Sequence, residues 1–75
     1  MAYLTRSDPT RNINRFYVVE VMPSLLSDWT VMREWGRRGS SGTMRLSSYR
    51  RRNEAETAEQ RIIKRRLQHG YQARQ

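Results

Sequence analysis

The chain has 75 residues, with 15 Lys and Arg against 7 Asp and Glu for a formal net charge of +8, 36% hydrophobic residues and no cysteine. A domain this small buries only about 60% of its unfolded surface, leaving one thin core and no interior chamber, so an enzyme acting on a small-molecule substrate is not expected. Without cysteine there is no disulfide framework, thiolate zinc site or thiol nucleophile, and the single His cannot build a multi-histidine site, so neither a metal nor a cofactor is expected.

Ala2 to Arg6 reads as a short edge strand, closed by Ser7-Asp8-Pro9-Thr10, where side-chain oxygens and a fixed proline φ favour a turn. Arg15 to Met22 is dense in β-branched and aromatic residues, and alternation places Tyr17, Val19 and Val21 on a core face and Phe16, Val18 and Glu20 on a partly wet one. Pro23 ends that strand and opens a loop through Asp28. Trp29 to Trp35 is a third strand, with Trp29, Val31, Arg33 and Trp35 on one side and Thr30, Met32 and Glu34 on the other. Both sides mix apolar and charged members, so the pattern does not choose which tryptophan is core. Gly36, Gly39 and Gly42 supply a connection able to take positive φ, and Thr43 to Ser48 then alternates Met44 and Leu46 inward against Arg45 and Ser47 outward.

After Arg50-Arg51-Arg52 the period changes from strand to helix. Asn53 is the expected N-cap with Glu56 as its reciprocal partner, and Ala55, Ala58, Ile62, Ile63 and Leu67 form the apolar face. Glu59 and Arg66 lie near the middle of that arc, and Arg66 is expected to bury its stem and extend its head to the edge. Gly70 is placed to end the helix in a left-handed turn, letting Tyr71 fold back over the sheet. The chain thus reads as one α+β domain, a small antiparallel β-sheet with one C-terminal α-helix packed on it.

The apolar runs are far shorter than the roughly 20 residues of a membrane span, and Arg6 and Asp8 interrupt the start before a signal segment can form. The cytoplasm is therefore expected, with no membrane partner. The seven carboxylates are scattered, and the three at the helix start are explained by its dipole, which leaves no acid/base dyad. Gly36 to Gly42 lacks the Gly-Lys-Ser/Thr ending and following helix of a P-loop. A surplus of arginine on a domain of pI about 11.3 favours a polyanion, most often nucleic acid.

The informative block is Trp35-Gly36-Arg37-Arg38-Gly39, which puts an indole, a side-chain-free backbone and two guanidinium groups at a strand end. A flat ring can stack on an exposed base or sugar, and arginine can grip a phosphate through two parallel hydrogen bonds. The same residues also suit a core tryptophan, turn glycines and solvated charge, and physics alone leaves both readings open.

The ordered set Asn14-Arg15-Phe16-Tyr17-Val18-Val19-Glu20-Val21, Trp29 through Trp35-Gly36-Arg37-Arg38-Gly39-Ser40-Ser41-Gly42, Ser48-Tyr49, Ala55 and Gly70-Tyr71 resembles the WGR domain. This family occurs in eukaryotic poly(ADP-ribose) polymerases and in bacterial proteins. The resemblance takes in about Leu4 to Tyr71 within a single domain of residues 1–75. It implies an antiparallel sheet with one helix and DNA binding at a strand break, the motif tryptophan stacking on the 5′-terminal sugar. Carried over, Trp35 is the stacking platform beside Gly36, Arg37 a phosphate or interdomain contact, and Asn14 and Arg15 contacts to the DNA backbone. Arg38 departs from the family, which commonly has an apolar residue there; it either adds a phosphate contact or marks the loss of a surface for a neighbouring domain. The excess charge on Arg45, Arg50, Arg51 and Arg52 suggests secondary phosphate contacts. No ADP-ribosyltransferase segment is present, so that activity is not implied. The expected partner is nicked or ended duplex DNA, the alternative a protein partner that supplies the activity.

Overall fold

Alternation and turn chemistry resolve into seven elements in the computed structural model, which describes residues 1–74. They are β1 (Ala2–Asp8), a 3₁₀ turn (Pro9–Arg11), β2 (Ile13–Pro23), β3 (Trp29–Arg37), β4 (Thr43–Tyr49), α1 (Arg52–Gln68) and β5 (Gln72–Arg74). The strands form one antiparallel sheet in the order β4-β3-β2-β1-β5. The helix lies across one face. This is the expected α+β architecture with one strand more than the sequence pattern shows. No helix among the described residues is long and apolar enough to cross a membrane.

The turn after β1 forms as its residues dictate. Asp8 is its N-cap, its Oδ1 accepting from the Thr10 backbone N–H at 3.2 Å, and Pro9 occupies the first turn. Asn12 ends the turn in a left-handed conformation at φ 56°, which its short polar side chain tolerates.

Register sets the faces. Leu4, Tyr17 and Trp35 are cross-strand neighbours in one row, and Val19 and Arg33 lie opposite each other in the next. The helix covers this face with Ala55 and Ala58, whose small side chains let it approach Val19 and Val31 closely. A second cluster joins Leu4, Tyr17 and Tyr71, and Ile62 packs against both. Both tryptophans turn out to be half-buried on this face, Trp29 against the first cluster and Trp35 against the second.

Several expectations are corrected. β1 is not an edge strand, because the chain returns after the helix and pairs Gln72–Arg74 with Tyr3–Thr5. Met44 and Leu46 point away from the helix, 57% and 62% exposed, while Arg45, Ser47 and Tyr49 share its face. The parity is fixed by Tyr49, which stands opposite Trp29 and packs on the core. Phe16 is buried on the opposite face, because Gly42 brings the β3–β4 connection down onto its ring.

The helix also begins earlier than Asn53. Arg51 is the N-cap residue, and the Glu54 carboxylate accepts from its backbone N–H at 3.1 Å, the carboxylate half of a capping box. Glu56 instead pairs with Arg52, at 3.6 Å. Leu67 is 47% exposed, beyond the edge of the covered face. The C-terminus follows expectation: Gly70 takes φ 89°, its N–H donates to Leu67 O at 3.2 Å and that of Tyr71 to Arg66 O at 3.1 Å, a Schellman pair. Tyr71 is thereby turned onto the sheet and buried.

Candidate nucleic-acid interface

The face that carries the helix is not fully covered by it. Beyond the second core cluster lies an open cleft of about 680 Å³ whose rim holds Arg15, Arg33, Arg37, Arg45 and Arg66. No Asp or Glu lines it. Its aromatic members are Tyr17, Trp35 and Tyr71.

Register explains the convergence. Arg15 faces Arg37 across β2 and β3, and Arg33 faces Arg45 across β3 and β4. Like charges placed directly opposite destabilise a sheet, and here two such pairs stand on the same side as the cleft. Five guanidinium groups around a concave surface that no Asp or Glu lines focus a positive potential where a polyanion can enter.

Trp35 stacks on Tyr17, its cross-strand neighbour, with ring centroids 5.8 Å apart and planes inclined by 16°. Tyr71 meets Tyr17 edge-on at 6.2 Å. The Arg33 guanidinium lies 5.9 Å from the Trp35 ring centroid and that of Arg66 4.7 Å from Tyr17, both within cation–π range. Trp35 is therefore anchored on one side by the core yet keeps part of its ring in the cleft. It serves as core and as exposed platform at once.

Arg37 is held in place. Its Nη1 donates to Asn12 O at 3.1 Å and its Nη2 to Asn12 Oδ1 at 3.0 Å, tying the end of β3 to the turn before β2. A guanidinium has five N–H donors, so it retains hydrogen-bonding capacity toward the cleft. Gly36 contributes backbone to the cleft wall, but the space beyond its Cα is taken by its own loop: a Cβ there would lie 2.8 Å from Gly42 Cα.

Of the residues singled out from sequence, the structure brings Arg15, Trp35, Gly36, Arg37 and Arg45 together. Asn14 and Arg38 do not join them; they meet through a backbone hydrogen bond, Arg38 N to Asn14 O at 2.9 Å, Asn14 being one residue out of step with Arg15 on β2 and Arg38 lying in the turn beyond β3. The Arg50 to Arg52 run is also separate. Arg52 lies over Trp29, 5.4 Å from its centroid, and six strand residues put Trp29 about 20 Å from Trp35. Sequence reasoning missed Tyr17, Arg33, Arg66 and Tyr71 as parts of one site. The signal was present in Arg33 and Arg66, each a charge set among apolar positions of its own face. The Arg66 side chain crosses over Tyr17 to reach the cleft, with its Nε buried and without a hydrogen-bond partner among the described residues.

The model of the WGR domain family matches residues 1–75. An uncharacterised protein of Sinorhizobium fredii, y4dW, is 31% identical over 72 residues, a match that takes in 96% of this chain and 35% of that protein. The chain thus spans about a third of the length of this curated relative. The family match over the whole chain places it among the WGR domains, a family whose members typically bind nucleic acid.

Proposed function

We propose that this domain is a non-enzymatic DNA-binding module that recognises nicks or ends carrying a 5′ phosphate. One observation carries the reading: five arginines surround a stacked tryptophan in a cleft with no carboxylate among the described residues. A terminal nucleotide differs from an internal one in exposing a flat sugar and base face and a phosphate with extra charge. Trp35 offers the platform, and Arg33, Arg45 and Arg15 the donors for the phosphate. Arg50 and Arg51, at the far end of β3, add sequence-independent attraction to the duplex.

The test is fluorescence anisotropy with nicked 5′-phosphorylated and continuous duplexes of equal length, at about 0.15 M salt, where distant surface charges are screened. The expected result is tighter binding of the nicked duplex, lost in Trp35→Ala and largely kept in Arg51→Ala. Equal binding of both duplexes by the wild type would leave only nonspecific attraction.

A second reading, a protein-interaction module acting with a catalytic partner, draws on the uncovered sheet face, where Met44 and Leu46 are exposed. It predicts that Leu46→Asp abolishes a co-purifying partner while DNA binding persists.

A further inference from the structure

The helix divides its charges by position. Glu54, Glu56 and Glu59 lie in its first half, and Arg61, Lys64, Arg65 and Arg66 in its second. The dipole favours cations in the last turn, but Arg61 lies about two turns from the end and gains little from it. Neither do carboxylates account for these cations, since among the described residues the ion pairs are Arg11 with Asp8 and Arg52 with Glu56.

These residues border a second groove, about 400 Å³, between the helix and the sheet. Arg61, Lys64 and Arg65 are exposed on one side of the helix, as their spacing of three and four requires. Among the described residues no carboxylate lines this groove either. It shares Tyr17, Arg33 and Arg66 with the tryptophan cleft, so the two are continuous. At their junction is the Arg66 side chain, whose buried Nε lacks a partner among the described residues.

We infer that an unpaired strand of nucleic acid, continuing past the terminus held at Trp35, lies in this groove with its phosphates on Arg61, Lys64 and Arg65. The inference rests on the DNA reading above and specifies its substrate as an end with a 3′ overhang. Such an end leaves a recessed 5′ phosphate at the cleft and sends the complementary strand onward. The groove is too small for a duplex, whereas a single strand can lay sugars and bases against the half-buried Ile62 and turn its phosphates to the cations. An acidic peptide would satisfy the charge but not the continuity with an aromatic platform.

The experiment compares 5′-phosphorylated duplexes that are blunt, carry a four-nucleotide 3′ overhang, or carry a four-nucleotide 5′ overhang, with wild type and the triple variant Arg61→Gln, Lys64→Gln, Arg65→Gln. The three positions are exposed and Gln is a good helix former, and circular dichroism checks that the variant is folded. Wild type is expected to bind the 3′ overhang several-fold more tightly than the other two. The triple variant loses that advantage but keeps the blunt-end affinity, and its slope of log K against log salt on the overhang falls by about 2, from three single-strand contacts. Equal wild-type affinity for blunt and 3′-overhang ends, or an undiminished advantage in the triple variant, would overturn the inference. So would displacement of the overhang duplex by polyglutamate as readily as by an unlabelled oligonucleotide. Failure of the underlying reading is distinct: wild type would show no Trp35-dependent preference for any DNA end.

Discussion

Arg33 and Arg45 stand directly opposite one another on β3 and β4, side by side on the helix-bearing face, and both line the tryptophan cleft. A pair of like charges at a cross-strand position opposes folding. Replacing Arg45 with Thr, a good strand former, is expected to raise unfolding stability by about 0.2–1 kcal/mol while weakening DNA binding. Urea denaturation and anisotropy on the same variant check this trade, and a loss of stability would show that the pair is not in conflict.

Trp35 contributes to both the core and the cleft, so its substitutions separate the two roles. Trp35→Ala loses the apolar area packed against the second cluster and, beyond that, the stack on Tyr17, about 0.5–1.5 kcal/mol, together with about 1–3 kcal/mol of stacking with a terminal nucleotide. Trp35→Phe keeps an apolar ring and is expected to recover most of the stability and a smaller share of the end preference. Chemical denaturation and nick-dependent binding read the two losses independently.

Two glycines of the β3–β4 connection both have positive φ, 90° at Gly39 and 72° at Gly42, but different surroundings. A Cβ at Gly42 would lie 2.6 Å from Trp35 O and 2.8 Å from Phe16 Cζ, whereas one at Gly39 meets nothing within 4 Å. Gly39→Ala should cost only the backbone strain, about 1–2 kcal/mol. Gly42→Ala adds a steric clash and is expected to cost clearly more, lowering the thermal midpoint further and disturbing the Trp35 indole resonance.

The orientation of β4 gives a sharp contrast between two leucines. Leu46 is 62% exposed and Leu4 fully buried. Leu46→Thr is expected to change stability by less than about 0.5 kcal/mol, and Leu4→Ala to cost about 2–5 kcal/mol. A large loss at Leu46 would mean that β4 presents its other face to the helix.

The long strands, the Pro23 boundary, the helix and its Gly70 terminus were legible because each depends on neighbours in sequence. The inward side of β4 was not. Met44 and Leu46 offer the more apolar alternation, but Tyr49 decides the parity by standing opposite Trp29, a pairing twenty positions apart that no local pattern carries. β5 was missed for a similar reason: Gln72, Ala73 and Arg74 have little strand propensity and exist as a strand through pairing with β1. In the site, Trp35, Gly36 and Arg37 were legible as a contiguous motif. Tyr17, Arg33, Arg66 and Tyr71 come together through the register of two strands and the end of the helix, and a sequence marks them only as charges and rings in unexpected places.

The pairing of β5 with β1 also sets an order on synthesis. Within the domain, Tyr3 leaves the ribosome early and its partner Arg74 late, with a hydrogen bond from Arg74 Nε to Thr5 Oγ1 spanning the interval at 2.9 Å. Until that segment emerges, β1 is an open strand edge able to pair with other chains, and Tyr71 cannot close over Leu4 and Tyr17. The domain therefore completes its fold only after it has been made in full. Its two ends then lie side by side, so that it can be carried within a larger protein as an inserted unit without threading the host chain across the cleft.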